Sequence, residues 1–120
     1  MATVLVVDDD RKIRDLVEGF LQSDDVEVEC IDDGADAIRK LKTGSYSLVL
    51  LDLMMPGLSG FVVLDFLRTE RPDMVERVVV MTGRNVGDDK TICNIDFRGR
   101  LLKKPFSQKQ LPSRVDRFLS

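Results

Sequence analysis

Among its 120 residues the chain has no histidine. That absence removes the Ser-His and Cys-His nucleophile pairs and the commonest general base in one step. Any chemistry must run on carboxylates, lysine, hydroxyls or a metal. Cysteine is scarce too. Cys30 and Cys93 stand far apart with no C-x-x-C pair, and without histidine they cannot complete a zinc set, so both read as reduced thiols. No apolar run is long enough to cross a bilayer, and the opening "ATVLVV" meets three acids at once, unlike a signal peptide. A cytoplasmic location without membrane insertion is the expectation. Nor is there an excess of positive charge. The net charge is −3 and the basic residues are scattered, so direct contact with nucleic acid is not expected.

What is present describes one folded unit. Hydrophobic residues make up 43% and charged residues 32%, the balance of a globular chain that can bury a core, so residues 1–120 read as a single domain. Short apolar runs alternate with amphipathic stretches, which predicts parallel strands joined by crossover helices. "TVLVVD" (Thr3 to Asp8) is nearly continuous in β-branched and apolar residues, as a strand covered on both faces requires. Ile13, Leu16, Val17, Phe20 and Leu21 then fall on one helical stripe. "VEVECI" alternates, predicting a half-covered strand at or near an edge, and "DGADAIRKLKTG" predicts a helix stopped by Gly44.

"SLVLLDL" reads as the third strand, Phe61, Leu64 and Leu67 mark a helix that stops before Pro72, and "RVVVMT" is the fourth strand. Gly83 to Arg98 is a poor helix on composition. "GRLLKK" is the fifth strand, and Ser107 with Gln110 resembles a capping box, with Phe106 and Leu111 as its staple. Pro112 either removes a hydrogen bond from that last helix or marks a start slightly later. Val115, Phe118 and Leu119 would be its inner face.

In open α/β sheets functional residues collect beyond the carboxyl ends of the strands. Here the first strand ends in Asp8, Asp9 and Asp10, the third near Asp52, the fourth at Thr82 and the fifth at Lys104. Asp52 is the telling one, a carboxylate inside "VLLDLMMPG". Buried acids repel one another, so such a cluster is costly unless a cation enters, and incomplete oxygen coordination beside a phosphate suits Mg²⁺. The bland alternatives are that the three acids merely cap a helix, that Thr82 is structural and that Lys104 is a solvated surface residue. Convergence on one edge argues against them.

The segments "VVDDD", "LLDLMMPGLSG", "VVVMTG" and "KKPF", in this order and spacing, resemble a response regulator receiver domain of two-component signalling, over essentially the whole chain. The resemblance implies a doubly wound five-stranded parallel sheet of flavodoxin-like order 2-1-3-4-5 with helices on both faces. It implies that Asp52 accepts a phosphoryl group, that Asp8, Asp9, Asp52 and the backbone carbonyl of Met54 bind Mg²⁺, and that Thr82 and Lys104 contact the phosphate. Lys104-Pro105 resembles the family's cis peptide. The expected donor is a phosphohistidine on a histidine kinase or phosphotransfer protein, and the output a downstream protein or a fused domain. The chain would catalyse only its own phosphorylation and dephosphorylation.

Departures from the family pattern matter as well. Leu101 stands where an aromatic switch residue is usual, and Gly83 replaces a common alanine. Phosphorylation is therefore expected to alter order in Val86 to Phe97 more than to flip a side chain. Met54 and Arg84 occupy positions that tune acyl-phosphate hydrolysis, and an apolar Met54 predicts a longer-lived phosphate. The family's usual contact face, carried over here, is the fourth and fifth helices with the last strand. A haloacid-dehalogenase-like phosphohydrolase would need a second carboxylate where Met54 stands, and a nucleotide or flavin binder would need a Gly-rich loop after the first strand. A degenerate receiver acting only by protein contact remains the alternative function.

Overall fold

A computed structural model of the chain describes residues 1–83, 101–104, 106 and 109–119. Ten elements follow one another: β1 (Ala2–Val7), α1 (Arg11–Leu21), β2 (Val26–Ile31), α2 (Gly34–Thr43), β3 (Leu48–Asp52), α3 (Gly60–Glu70), α4 (Pro72–Val75), β4 (Val78–Thr82), β5 (Leu101–Lys103) and α5 (Gln110–Leu119). The five strands are parallel in the order β2-β1-β3-β4-β5. This is the expected doubly wound sheet, and "VEVECI" forms one of its edges.

Period-two alternation splits each central strand between two cores. Leu5, Val7, Val49, Leu51, Val78 and Val80 meet Ala37, Leu41, Val63, Leu64, Leu67 and Met74 of α2, α3 and α4 on one face. Val4, Val6, Leu48, Leu50, Val79 and Met81 meet Val17, Leu21, Leu111 and Val115 of α1 and α5 on the other. Both faces are covered, which is why β3 and β4 carry no polar residue until their ends and β1 none after Thr3. The register matches those ends: Val7 pairs with Leu51, Asp52 with Met81, and Thr82 with Lys103.

The helix termini follow local chemistry. Asp10 caps α1 by accepting the Lys12 N–H at 2.9 Å, and Asp33 caps α2 by accepting the Asp36 N–H at 2.9 Å. Pro112 is the third residue of α5, inside the first turn, where its missing N–H would have had no intrahelical partner. Phe106 and Leu111 are both buried in the core on this face, while Ser107 and Pro105, and with them the expected capping box, lie outside the described residues.

Some expectations shift. β1 ends at Val7, so Asp8 stands just beyond the strand, and β3 is shorter at both ends than "SLVLLDL". Phe20 is exposed, because α1 buries the narrower stripe of Val17 and Leu21, flanked by half-buried Ile13 and Leu16. The third helix stops before Pro72 as expected, and Pro72 starts the single turn α4, its fixed φ suiting a first helical position; this turn buries Met74. The expectations for Gly83 to Arg98, including the order change in Val86 to Phe97 and the role of Arg84, fall beyond Gly83 outside the described residues.

Candidate functional site

The only buried polar or charged residues among those described are Asp8, Asp52 and Thr82, and all three sit where strands end on one edge of the sheet. Asp8 follows β1, Asp52 closes β3, and Thr82 closes β4. Lys104, one residue past β5, is held there by its own N–H donating to the Thr82 carbonyl at 2.8 Å. Its side chain turns the four strand ends into one site. Lys104 Nζ lies 2.7 Å from Asp8 Oδ2 and 3.2 Å from Asp52 Oδ2.

The acids are fixed by main-chain bonds. Asp8 Oδ1 accepts the Asp10 N–H at 2.8 Å, and Asp52 Oδ1 accepts the Met54 N–H at 3.0 Å. Asp9 is exposed, yet carboxylate oxygens of Asp8, Asp9 and Asp52 lie within 4.8 Å of one another. Met54 is itself exposed, on the loop between β3 and α3. Asp10, by contrast, is spent on capping α1.

Electrostatics mark Asp52 out. Burial pushes its carboxyl up to about 6, an effect that the Met54 N–H opposes, the Asp8 charge reinforces and Lys104 again opposes. For Lys104, burial favours loss of the proton but contact with Asp8 and Asp52 outweighs it, and the ammonium is held above its ordinary range. One cation thus faces two buried acids, with the exposed Asp9 beside them.

Whether these residues suit a divalent cation can be judged from Asp8. Its Oδ2 meets Lys104 as an ion pair without hydrogen-bond alignment, and it is the one buried side-chain nitrogen or oxygen among the described residues lacking a hydrogen-bond partner. An orphaned carboxylate oxygen beside two further carboxylates is an all-oxygen donor set with an unfilled valence, which fits Mg²⁺ or a similar hard ion. A second acid group, Asp32, Asp33 and Asp36, is different in kind. It lies on the surface, Asp33 caps α2, and Asp36 pairs with Arg39.

The chain matches the description "Response regulator receiver domain" over residues 4–116. It belongs to the response regulator receiver family. The CpxR homolog of Haemophilus influenzae, a transcriptional regulatory protein, is 33% identical over 99% of this chain and 51% of its own length. The receiver chain spans about half the length of the curated relatives it matches. Among solved structures, the response regulator TrrA of Thermotoga maritima in complex with Mg(2+)-BeF is 30% identical, with a TM-score of 0.80 covering 99% of this chain and all of that one. A structure of the histidine kinase ThkA in complex with TrrA matches at 31% identity and a TM-score of 0.82, covering 100% of both chains.

Asp8, Asp9, Asp52, Thr82 and Lys104 therefore converge as their positions at strand ends led one to expect. Sequence reasoning overlooked Arg14, whose Nη1 donates to the Asp8 carbonyl at 2.9 Å and ties α1 to the acid loop. A basic residue on the first turns of the helix that follows the acids was the available signal. Its acceptor, a main-chain carbonyl, leaves no mark in the sequence.

Proposed function

We propose that this receiver domain accepts a phosphoryl group on Asp52 from a phosphohistidine, borne by a histidine kinase or phosphotransfer protein. The observation that carries the reading is a buried, ionisable Asp52 beside a second buried acid, Asp8, with the ammonium of Lys104 paired to both. In the transfer an Asp52 carboxylate oxygen forms the new O–P bond as the N–P bond of the donor imidazole breaks. Lys104 stays protonated and offers a charge-assisted donor to the incoming phosphoryl oxygens, and the Thr82 hydroxyl, at the end of the neighbouring strand, offers a second. The Met54 N–H holds one Asp52 oxygen, which leaves Oδ2, 3.2 Å from Lys104 Nζ, as the nucleophile.

Asp8, Asp9, Asp52 and the backbone carbonyl of Met54 are the ligands we assign to Mg²⁺. When bound, the ion neutralises negative charge gathering between carboxylate and phosphoryl oxygens. The chain acts on itself rather than turning over a separate substrate. Its output is a protein target or a fused domain, and a cytoplasmic setting fits relatives described as transcriptional regulators.

Intact mass after incubation with acetyl phosphate, with and without Mg²⁺, tests this on the wild type and on Asp52→Asn. A Mg²⁺-dependent gain of one phosphoryl group, absent from the variant, is the expected result. No gain under any condition would overturn the phosphoacceptor reading and favour a receiver that works by contact alone.

A further inference from the structure

Two glycines outside the acid cluster pack too tightly to tolerate any side chain. Gly60, the first residue of α3, lies so close to the end of β3 that a Cβ there would collide with the Asp52 carbonyl oxygen and come within 2.7 Å of the Leu53 Cα. Gly34, the first residue of α2, presents the same condition to the far side of the β3–α3 loop. A Cβ at Gly34 would lie 2.6 Å from the Leu58 carbonyl oxygen and 3.2 Å from Leu58 Cβ and Cδ2. Neither residue has positive φ, so close approach and not backbone conformation is what demands glycine.

Between these contacts runs the loop that carries Met54. One end is pinned on Gly60 at the backbone of Asp52, and Leu58 is pinned on α2 at Gly34. We infer that Gly34 and Gly60 are positioning residues for the phosphorylation site, clamping the β3–α3 loop so that the Asp52 carboxylate and the Met54 carbonyl are held at fixed height for a divalent cation. The inference rests on the metal-dependent receiver reading above. It extends that reading to Gly34, a residue on a different helix that touches no member of the acid cluster in the contacts described. A methyl group at Gly34 must push Leu58 away by several tenths of an ångström, because the atoms it meets include main chain that cannot rotate aside. Sites of this kind are sensitive to displacements of that size.

The test uses the full chain with three substitutions, Gly34→Ala, Gly60→Ala and Leu58→Ala, and Gly19→Ala as control. Gly19 has nothing within 4 Å of a Cβ and lies on α1, away from the loop. Leu58→Ala inserts nothing and only withdraws the side chain that rests on Gly34, so it keeps the clamp testable if an alanine insertion fails to fold. Two readouts are taken on each: the Met54 amide resonance of the metal-free protein, and the Mg²⁺ dissociation constant by calorimetry. Gly34→Ala is expected to move the Met54 amide and weaken Mg²⁺ binding by about tenfold, in the range seen when groups supporting a metal's ligands are lost. Leu58→Ala should do the same to a smaller extent, and Gly19→Ala should do neither. A folded Gly34→Ala whose Met54 amide and Mg²⁺ affinity match the wild type would overturn the clamp, as would an unaltered Leu58→Ala if Gly34→Ala does not fold. If the wild type itself binds no Mg²⁺, the metal-dependent receiver reading fails, and a Met54 amide that still moves in the metal-free variants shows that the clamp does not fail with it.

Discussion

Burial raises the Asp52 carboxyl from 3.8 to about 6, so ionising it in the folded, metal-free protein costs more than ionising it in the unfolded chain. Well below pH 3.8 both states carry the proton and the site costs nothing; between 3.8 and about 6 the unfolded chain ionises first and stability falls, and above 6 the loss is complete and constant. Asp52→Asn should therefore match the wild type near pH 3.5 and exceed it at pH 7 by about 2–3 kcal/mol, since each tenfold change in proton affinity is worth roughly 1.4 kcal/mol. Urea unfolding of both proteins in EDTA across this range measures it, and a constant difference at all pH values would refute the assignment. If Asp52 carries the phosphoryl group as proposed, the exposed apolar thioether of Met54 beside it offers nothing to orient a water for hydrolysis of the acyl phosphate. Met54→Asn should speed loss of the phosphate by about tenfold, less than the roughly hundredfold of a well-placed general base, since an amide orients water without taking its proton. Retention of phosphate at the wild-type rate would argue against it. At this scale much of the site was readable: Asp52 and Thr82 close their strands, Asp8, Asp9 and Lys104 follow theirs, and all but Asp52, which interrupts an apolar run, stand where apolar residues stop. The contacts of Arg14, Gly34 and Gly60 were not readable, because Arg14 and Gly60 meet main-chain atoms that any residue could supply and Gly34 meets Leu58 only through the tertiary fold.

Elements are joined here by a single guanidinium. Arg71 separates α3 from α4, is mostly buried, and donates from Nη1 to the carbonyls of Leu41 at 2.8 Å and Gly44 at 3.0 Å, while Nη2 pairs with Asp73 at 3.1 Å. Those carbonyls belong to the end of α2, where the last turn leaves acceptors without helical partners. One side chain thus fastens the α2 terminus to the corner between α3 and α4. Arg71→Ala should lower stability by about 2–3 kcal/mol, the cost of stripping a charged donor from partly buried acceptors. Arg71→Lys should recover less than half, since an ammonium cannot reproduce the planar fork. A midpoint shift in urea at unchanged slope is the expected signature, and a lysine variant as stable as the wild type would show that charge rather than geometry is what counts. The same corner shows what the sequence read and what it left open: the helix stops before Pro72 as expected, but the helical turn after it was not foreseen. Proline forbids a helix from continuing through it but suits a first turn equally well, so Pro72 marks a boundary without saying whether a loop or a helix follows. Phe20 failed for a related reason: periodicity places residues on a face, but only packing decides how wide a strip of that face is covered.

The order of the whole sheet was implied by the family resemblance, and strand composition alone marked which strands are covered on both faces. Continuous apolar runs became the three inner strands, and the alternating "VEVECI" became the edge strand β2. An edge exposes main-chain groups that can pair with another copy of the chain, and what closes this one could not be foreseen. Residues whose carbonyls face β1 alternate along β2, as the bonds to Asp25 and Ile31 show, so Val26, Val28 and Cys30 turn their main-chain groups outward. Ser23 exchanges two bonds with Val26, at 3.0 and 3.4 Å, and the Gln22 side-chain oxygen accepts the Val28 N–H at 2.9 Å. Half of the outer edge is thereby occupied by the turn that precedes it. Gln22→Ala leaves Val28 with a free donor at a solvent-facing edge, whereas Gln22→Glu keeps an acceptor of the same reach. The alanine variant should exchange its Val28 amide about fivefold to tenfold faster, the equivalent of one hydrogen bond of about 1 kcal/mol, and should self-associate at concentrations where the wild type sediments as a single species. The glutamate variant should do neither. Equal Val28 exchange in all three proteins would mean that the bond contributes nothing to closing the edge, and that Ser23 alone accounts for the protection of β2.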